Sequence, residues 1–365
     1  MDDLAKLRQT IDYIDRELIK LFEMRMETVL KIADYKKENG IPILNRDREA
    51  EVIRKNISYL KNNNFEESTE DFLNYIMEIS RKIQKQKFDV ENKLRVGFQG
   101  VEGSFSEQAL IEYFGDDVVR KNASDFQDVF VALENNEIDY GVLPIENSST
   151  GGIAEVYDLL RKYGFYIIGE KCLKVEHHLL GIKDTKLEDI IEVYSHPQAF
   201  GQSNEFFKMH SDWKLIPYKN TAMSAKLIRD ENSKMKAAVA SKKAAELYGL
   251  DIIVPNINFN KSNYTRFIII GKSLELKDEA DKISVVVAIP HRAGALYSIL
   301  RYFAENNLNM LKIESRPIIN KSWEYFFYID FEGNLHEKVV KDAIELIEKN
   351  SSFFQLLGNY KGHKG

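Results

Sequence analysis

Residues 263–271 read NYTRFIIIG, and this stretch decides how the central part of the chain folds. A short β-branched run that ends at a glycine is typical of a buried strand. Polar side chains at the end of a buried strand lie where α/β proteins bind ligands, which makes Thr265 and Arg266 candidate site residues. An ordinary strand fits as well, with Thr265 present for its β propensity and Arg266 for solubility. On these residues alone both interpretations stay open.

The composition is that of a globular protein with more than one domain. A length of 365 residues favours two or three domains, and shares of 44% hydrophobic and 30% charged residues are typical of soluble proteins. The net charge of −6 gives no reason to expect nucleic acid or an anionic membrane as a partner. From the acidic start Met1-Asp2-Asp3 we expect no secretory signal, and no apolar run approaches the ~20 residues of a transmembrane helix. We therefore expect a cytoplasmic protein.

Metal and thiol chemistry are not expected. The single Cys172 excludes an internal disulfide framework and a cysteine-based zinc site, and no partner that would make it a nucleophile is identifiable. His177 and His178 are adjacent, so on a strand their side chains point to opposite faces and do not form a metal site. The sequence implies no cofactor.

The N-terminal region is predicted to be helical. Residues 3–37 contain neither Pro nor Gly and repeat apolar residues at intervals of three and four, which indicates one helix about 50 Å long. The helix is expected to end at Asn39-Gly40, and further helices are predicted at about 47–61 and 68–86. Three helices with so long a first member cannot cover its apolar seam, so we expect a helical dimer. The seam begins with Leu4, Leu7, Ile11, Ile14, Leu18 and Leu21.

Arg25 occupies a position in this seam where Leu or Ile would be expected. Because charges are rarely buried unpaired, an anion is expected to meet it. Lys36 follows after 11 residues and returns to within ~20° of the same helix face, ~16 Å along the axis. The two cations can hold a small polyanion between them; alternatively, Arg25 extends into solvent at the end of the bundle.

The helical region resembles the all-helical chorismate mutase family over residues 3–87, in its charged and polar residues and their spacing. The matching pattern is Arg8…Arg25…Lys36…Arg48-Glu49…Ser80-x-x-x-Gln84. The resemblance implies an intertwined dimer with Arg8 contributed by the partner chain and with Arg25 and Arg48 binding substrate carboxylates. Asn45 departs from the Asp of enteric members, which bears on substrate affinity.

The remaining matched residues suit a Claisen rearrangement. By the resemblance Lys36 and Gln84 donate to the ether oxygen of the breaking bond, and Glu49 holds the ring hydroxyl with Ser80 nearby. Such a reaction needs neither an acid–base pair nor a nucleophile. It needs a dianion held in its reactive conformer and donors aimed where charge develops on oxygen.

From Leu94 onward, strand-like and helix-like segments alternate, which implies a mostly parallel, helix-covered sheet. The predicted strands are Arg95–Gly100, Asp139–Glu146, Phe165–Gly169, Glu192–His196, Lys214–Tyr218, Ala237–Ser241 and Arg266–Gly271. The predicted helices lie near 105–114, 152–163, 198–210, 221–231 and 242–248.

Polar clusters fall at the ends of these elements. The glycine-rich turn at 97–106 has the spacing G-x-x-G-x-x-G with no following Lys, so it fits a carboxylate at a helix N-terminus better than a nucleotide. Other clusters lie at 144–148, 194–199, 220–222 and 263–267. One such cluster is usually a helix cap. Five of them favour a shared cleft.

The motifs GVEGSFS, PIENS, YSHPQA and NYTRF, in this order, resemble prephenate dehydratase over residues 94–271. The resemblance implies two lobes of the periplasmic-binding-protein type with the site between them. It makes Thr265 the candidate catalytic hydroxyl, and Arg266 the cation for a substrate carboxylate or a support for the Thr265 loop. Glu146 would repel a dianion unless paired or protonated. The expected substrate-binding residues are Ser104, Ser106, Asn147, Ser148, Ser195, His196, Gln198, Thr221, Arg266 and Phe267.

After the polar linker 272–282, the order strand, helix, strand, strand, helix, strand predicts a ferredoxin-like module. The sequences GALY at 294–297 and ESRP at 314–317 resemble the ACT regulatory domain fused to prephenate dehydratases. That resemblance implies phenylalanine bound at an interface between two such domains. The expected effector-binding residues are Gly294, Ala295, Leu296, Glu314, Ser315, Arg316 and Pro317.

Together the resemblances imply a bifunctional chorismate mutase/prephenate dehydratase, inhibited by L-phenylalanine, that forms a homodimer or higher homo-oligomer. Its expected domains are all-α at 1–90, α/β and two-lobed at 94–272, and α+β at 282–365. Chorismate and prephenate are the expected substrates, with no nucleic acid or membrane partner. Two alternatives stay open: a dehydratase that accepts arogenate, and a two-lobed sensor without catalytic activity.

Overall fold

The computed structural model describes residues 3–319, 321 and 323–363. The chain divides after Lys93 into two compact units, and each is described by itself. The outer limits expected for the first and last domains, residues 1 and 365, lie outside the described residues. Within the described part of the chain, no helix is both long and apolar enough to cross a membrane.

The first unit consists of three helices, as the apolar spacing predicts. They are α1 (Asp3–Glu38), α2 (Arg46–Ile57) and α3 (Glu66–Asn92). Helix α3 extends beyond its predicted end at about residue 86, because no Gly or Pro interrupts the stretch up to Asn92. The N-terminal half of the α1 seam is uncovered: its side chains from Leu4 to Leu21 are 48–63% exposed.

The second unit begins with a sheet and its covering helices. They are β1 (Arg95–Gln99), α4 (Phe105–Phe114), β2 (Val119–Ala123), α5 (Phe126–Glu134), β3 (Tyr140–Asn147), β4 (Gly151–Gly152), α6 (Ala154–Tyr163) and β5 (Tyr166–Lys174). The chain then crosses into a second lobe. Its elements are β6 (His178–Gly181), β7 (Glu192–Ser195), α7 (Pro197–Gln202), α8 (Asn204–Lys208), β8 (Lys214–Pro217), α9 (Thr221–Glu231), β9 (Lys236–Ala240), α10 (Lys242–Tyr248) and β10 (Asp251–Val254).

The strand β11 (Tyr264–Gly271) returns the chain to the first lobe. It inserts between β3 and β5 and runs antiparallel to both, in the order β2-β1-β3-β11-β5. In the second lobe the order is β10-β6-β9-β7-β8, with β6 antiparallel to both of its neighbours. The expectation of a mostly parallel sheet is therefore corrected to two mixed sheets, because the strands around the two crossings between lobes run in opposite directions.

The last segment forms a four-stranded antiparallel sheet, in the order β13-β14-β12-β15. Its elements are β12 (Lys282–Ala288), α11 (Ala295–Glu305), β13 (Met310–Pro317), β14 (Tyr325–Glu332), α12 (Lys338–Lys349) and β15 (Phe353–Tyr360). One face of this C-terminal sheet packs on its own two helices through residues such as Ile299 and Ile344.

The other face of the C-terminal sheet packs on the first lobe. Val286, Phe326 and Leu357 share one core with Ile145 and with residues of α6. The contact is close enough to require glycine on β15: a Cβ on Gly358 would lie 2.1 Å from the main-chain oxygen of Ile167. The first lobe thus lies between the second lobe and the C-terminal sheet.

Candidate functional sites

A cavity of about 360 Å³ lies between the two lobes of the second unit. Both lobes supply its walls, as expected for a cleft built from the polar ends of strands and helices. Eight of the expected residues line it: Ser104, Ser106, Asn147, His196, Gln198, Thr221, Thr265 and Phe267.

Helix caps form part of the cavity wall. Ser104 caps α4, His196 caps α7 and Asn220 caps α9, each by accepting a hydrogen bond of 2.7–3.3 Å from a main-chain N–H of its helix. The cap and cleft interpretations therefore do not exclude each other, because these residues cap helices and also line the cavity. The cavity consequently meets the N-terminal turns of α4 and α9, where free N–H groups favour an anion.

The Thr265 hydroxyl is paired with the side chain of Asn147 across the β3–β11 ladder. The two residues are register partners, and Asn147 Nδ2 donates to Thr265 Oγ1 at 2.9 Å. Because the hydroxyl oxygen accepts from this amide, the hydroxyl proton is free to donate into the cavity. This arrangement suits a hydroxyl that gives a hydrogen bond or a proton to a bound oxygen.

A chain of amides extends from this pair to the second lobe. Asn147 Nδ2 also donates to Asn263 Oδ1 at 2.8 Å, and Asn263 Nδ2 donates to Gln202 Oε1 at 3.2 Å. Gln202 Oε1 lies 2.8 Å from His177 Nε2, so that ring nitrogen carries the proton. The chain fixes the orientation of Asn147 and joins β11 to helix α7.

Arg266 is not placed as a direct ligand of the cavity. Strand alternation turns it away from the face that carries Thr265 and Phe267. Its guanidinium contacts three carboxylates instead: Glu146 at 3.0 Å, Glu170 at 3.1 Å and Asp330 at 2.9 Å. The expected contact of Arg266 with a substrate carboxylate is therefore wrong, because its side chain points away from the cavity.

Glu146, whose role the sequence left ambiguous, is paired and faces away from the cavity. It contacts Arg266 and, at 2.8 Å, Lys312. Burial works to raise the pKa of Glu146, but these two cations outweigh burial and hold the pKa below its usual value. The carboxylate therefore does not repel an anion in the cavity.

Two expected serines lie outside the cavity wall. Ser195 is fully buried and donates to the main-chain oxygen of Val239 at 2.8 Å, which ties β7 to β9. Ser148 donates to the oxygen of Ser262 and accepts from the N–H of Tyr264, which ties the β3 end to β11. Both hydroxyls are structural here, so their expected substrate contacts are corrected.

The cavity carries little formal charge. Burial lowers the pKa of His196 below its usual value, and burial does the same to His177 against the opposing hydrogen bond to Gln202. Both imidazoles are therefore neutral at neutral pH. Among the described residues that line the cavity there is no carboxylate, and Lys219 is the one cation.

In the helical unit, two contacts bring several expected residues together. Arg25 Nη1 donates to Ser80 Oγ, and Gln84 Nε2 donates to the main-chain oxygen of Ser80 at 3.3 Å. Lys36 donates to the main-chain oxygen of Ile43 at 2.6 Å. Gln84 Oε1 is buried and has no hydrogen-bond partner among the described residues.

Glu49 is held by a residue that the sequence interpretation did not include. Arg81 Nη1 donates to both of its carboxylate oxygens, at 2.6 and 2.7 Å. Arg81 directly follows Ser80 on α3, so it lies beside the expected site. A positively charged residue directly after the matched Ser80 is the sequence signal that could have identified Arg81.

Three expected residues of the helical unit are not gathered with the others. Arg48 is 64% exposed and pairs with Glu51 at 2.7 Å. Asn45 caps α2 by accepting from the N–H of Arg48 at 3.0 Å, which leaves it a structural role. Arg8 is exposed on α1.

A second cavity of the second unit, of about 340 Å³, lies on the C-terminal sheet at the start of α11. Gly294, Ala295 and Leu296 line it, together with Trp323 and Tyr325. The other expected effector residues, Glu314, Ser315, Arg316 and Pro317, do not line this cavity. Of these, Arg316 points to the first lobe and pairs with Asp158 at 2.9 Å.

Comparisons with known proteins assign both units. The chorismate mutase type II family model matches residues 7–85, and the prephenate dehydratase model matches residues 96–275. The bifunctional chorismate mutase/prephenate dehydratase of Buchnera aphidicola subsp. Acyrthosiphon pisum is 35% identical over 375 residues, covering 100% of this chain and 97% of that protein. The chain belongs to the bifunctional chorismate mutase/prephenate dehydratase family.

Solved structures match about three quarters of this family member. Prephenate dehydratase from Arthrobacter aurescens in complex with L-Phe has a TM-score of 0.67 and 29% identity, covering 73% of this chain and 90% of that one. GqqA, described as a novel type of quorum quenching acylase, has a TM-score of 0.67 and 27% identity, covering 74% of this chain and 98% of that one.

Several cavity residues were missed from the sequence. Gln202, Lys219 and Thr150 line the dehydratase cavity, and Gln198 Nε2 donates to Thr150 Oγ1 at 3.1 Å across the two lobes. Asn263 stood in the deciding stretch, yet its side-chain role was not foreseen. A Lys directly before the capping Asn220 and a Thr directly after the motif PIENSS were the available signals. No group of three or more His, Cys, Asp or Glu that could hold a metal is present among the described residues.

Proposed function

We propose that the helical unit converts chorismate to prephenate and that the interlobe cavity converts prephenate to phenylpyruvate, CO₂ and water. The observation that carries the dehydratase assignment is the Thr265 hydroxyl, which accepts from Asn147 and is free to donate into the cavity. Membership of the bifunctional family supports both reactions.

In the dehydratase step, Thr265 donates to the ring hydroxyl of prephenate as the ring C–O bond breaks. The hydroxyl leaves as water with one proton that passes through Thr265 and is replaced from solvent, and the C–C bond to the ring carboxylate breaks at the same time. The electron pair of that bond enters the ring, which becomes aromatic, and CO₂ departs. Since aromatisation supplies the driving force, the protein needs only to position the dianion and assist the leaving hydroxyl.

The dianion is bound largely without side-chain charge. The N-terminal turns of α4 and α9 present N–H groups and the positive ends of their helix dipoles to the cavity. Lys219 adds one full positive charge at the start of α9. We propose that Lys219 and these turns, rather than Arg266, hold the carboxylates of prephenate.

For the mutase step we propose a site built on Arg25, Lys36 and Gln84, with Arg8 supplied by a second copy of the chain. The exposed seam between Leu4 and Leu21 supports this dimer, because so much apolar surface needs a cover. Gln84 Oε1 is buried without a hydrogen-bond partner among the described residues, and Gln84 Nε2 donates to the main-chain oxygen of Ser80, whose hydroxyl accepts from Arg25. We propose that Glu49, held by Arg81, accepts from the ring hydroxyl of chorismate.

For the C-terminal sheet and its two helices we propose a ferredoxin-like ACT regulatory domain at residues 282–365, with a helical domain at 1–90 and a dehydratase domain at 94–272. L-phenylalanine is the proposed effector, bound near Gly294–Leu296 with a neighbouring copy of the domain. The phenylalanine complex of the Arthrobacter aurescens dehydratase supports this choice. A carboxylate is favoured at the start of α11.

The decisive experiment is incubation with chorismate while phenylpyruvate is followed, with and without phenylalanine. Formation of phenylpyruvate and its suppression by phenylalanine are expected. Phenylalanine binding without any product would favour the sensor alternative instead. A parallel assay with arogenate decides substrate choice, since arogenate carries an ammonium group that Lys219 disfavours.

Acyl transfer, suggested by the likeness to GqqA, finds no support in the cavity. A hydroxyl nucleophile needs a neighbouring base to take its proton. The partner of Thr265 is the amide of Asn147, which donates and takes no proton. We therefore keep the dehydratase assignment.

A further inference from the structure

Arg266 lies at the centre of a buried cluster of charges between the first lobe and the C-terminal sheet. Its cations and carboxylates come from both sides of this boundary, and their formal charges cancel. The first lobe contributes Arg266, Glu146 on β3 and Glu170 on β5, whereas the C-terminal sheet contributes Lys282 on β12, Lys312 on β13 and Asp330 on β14.

The cluster is bonded tightly enough to act as one body. Lys282 contacts Glu170 at 2.9 Å, and the side chain of Glu170 is only 4% exposed. Asp330 Oδ1 accepts from Ser284 Oγ at 2.6 Å, and Ser284 Oγ lies 2.8 Å from Tyr360 Oη. Burial works to raise the pKa of Asp330, but Arg266 and Lys282 hold it below its usual value, so the carboxylate stays charged.

The main-chain ladder is irregular at this point. Arg266 pairs with Glu146, but the next residue, Phe267, pairs with Pro144, so β3 contains an extra residue between them. Such bulges redirect side chains and interrupt regular pairing, often beside active sites. The end of β11 that carries Thr265 therefore lies beyond the interruption, where side-chain contacts supplement the ladder.

The two side-chain pairs beyond the bulge point to opposite faces. Thr265 and Asn147 face the cavity, whereas Arg266 and Glu146 face the C-terminal sheet. We propose that Arg266 is a positioning residue that sets the placement of the Thr265 hydroxyl and transmits movement of the C-terminal sheet to it through Asp330. The proposal rests on the proposed dehydratase activity and its inhibition by phenylalanine.

The positioning role predicts a specific kinetic pattern for Arg266→Lys in the full-length chain. Lysine keeps the charge but concentrates its donors on one nitrogen, so it cannot reproduce the contacts that Arg266 makes from Nε, Nη1 and Nη2. Since a small misplacement of a reacting group can cost about 100-fold in rate, kcat is expected to fall roughly 10- to 100-fold while KM for prephenate stays within about twofold. A tenfold rise in KM with unchanged kcat would show direct substrate binding and overturn the proposal. An unchanged kcat and KM would overturn it as well.

The coupling role is tested with Asp330→Asn and Glu146→Gln, which weaken two contacts of Arg266, one to the C-terminal sheet and one within the first lobe. The readout is the ratio of dehydratase rates without and with saturating phenylalanine, with phenylalanine binding measured by calorimetry. Because coupling between sites is typically 5- to 150-fold, the ratio is expected to fall about fivefold or more while phenylalanine still binds. Asp330→Asn could fail to fold or to bind phenylalanine. In that case Glu146→Gln decides whether coupling is lost, because it leaves the C-terminal sheet unaltered.

Tyr328→Phe is the matched control. Tyr328 lies on β14, two residues before Asp330, and its hydroxyl donates to the main-chain oxygen of Tyr157 at 2.9 Å in the first lobe. Its removal is expected to leave the inhibition ratio unchanged. An unchanged ratio in the Glu146 variant, or an equal loss in the control, would overturn the coupling role. If the wild-type chain forms no phenylpyruvate, the proposed function fails; if it is active and inhibited while the variants match it, only this inference fails.

Discussion

Asn147 Nδ2 lies 2.9 Å from Thr265 Oγ1, across two neighbouring antiparallel strands that meet at the mouth of the cavity. The amide donates, so the threonine oxygen is occupied as an acceptor and its proton is directed elsewhere. Main-chain N–H groups of Ser149 and Thr150 donate to Asn147 Oδ1 at 2.9 and 3.2 Å. They fix which end of the amide faces Thr265, and this orientation determines what the hydroxyl can do.

Replacing Thr265 is expected to separate the two activities. Thr265→Ala removes the donor to the leaving hydroxyl, so dehydratase kcat should fall about 10²- to 10⁴-fold, whereas Thr265→Ser should keep most of it. Chorismate consumption and prephenate accumulation should continue at the wild-type rate. Both reactions are followed in one assay; loss of both would indicate misfolding, and an active Thr265→Ala variant would refute the catalytic role.

The orientation of the Asn147 amide is tested by Asn147→Asp. A carboxylate accepts instead of donating, so it would take the Thr265 proton away from the cavity and repel the dianion. We expect a loss of dehydratase kcat comparable to that of Thr265→Ala, together with a higher KM for prephenate. Asn260→Asp is the matched control, because Asn260 is a half-buried amide that donates to Ser149 Oγ, and neither residue lines the cavity. Wild-type kcat in the Asn147 variant would contradict the pairing argument.

How much of this site was predictable differs between the two faces of β11. The residues Thr265, Asn147, His196 and Thr221 were identified because their motifs mark the ends of elements, and the structure gathers them around one cavity. Of the two roles offered for Arg266, contact with a substrate carboxylate was wrong, because a motif shows that a residue matters but not to which side it points. Its partner Asp330 is 64 residues away in a different sheet. No local pattern contains that contact.

The fold shows the same limit. Long periodic stretches such as α1 and the apolar run of β11 were predicted almost to their ends. The exposed strand β2 and the short strands β4, β6 and β10 were not predicted, because each is brief and defined mainly by pairing with distant residues. The direction of β11 was likewise missed, since strand direction depends on where the chain crosses between the lobes.

Lys219 is expected to govern substrate affinity rather than turnover. Lys219→Gln removes the only cation among the described cavity residues, so KM for prephenate should rise about fivefold, with kcat nearly unchanged. Lys219→Arg should stay near the wild-type value. Lys226→Gln, at an exposed lysine on α9, the helix that follows Lys219, serves as the control. Added salt should raise KM in the wild type more than in Lys219→Gln, and equal salt effects would argue against a direct role.

Arg25→Ala is expected to produce the opposite separation to Thr265→Ala. It removes a half-buried cation whose partner, Ser80, lies on α3, so mutase activity should fall by about 100-fold or more. The dehydratase rate, measured with added prephenate, should be unaffected because its residues belong to the other unit. Arg16→Ala is the control, because Arg16 is an exposed arginine of α1 that donates to the main-chain oxygen of Asp12. Normal mutase activity in Arg25→Ala would remove the helical-site assignment.

His177 is expected to make the second lobe less stable in mild acid. Burial lowers its pKa, although the hydrogen bond to Gln202 opposes this, and its Nδ1 is buried without a hydrogen-bond partner among the described residues. The unfolded chain therefore takes up a proton near pH 6.5 while the folded chain resists. Stability from the neutral imidazole is present above this pH and is lost as pH falls toward the depressed folded value. The free energy of unfolding should fall by up to about 1.4 kcal/mol per pH unit in that window.

Urea unfolding of the full-length chain at pH 7.5 and 5.5 measures this loss, with the fluorescence of the buried Trp213 reporting on the second lobe. His177→Gln can still donate to Gln202, so it should unfold at similar urea concentrations at the two pH values. His291→Asn, at an exposed position in the connection between β12 and α11, should keep the wild-type difference. If His177→Gln loses as much stability in acid as the wild type, the pH sensitivity arises elsewhere, because the one group whose protonation was blocked would then contribute nothing to it.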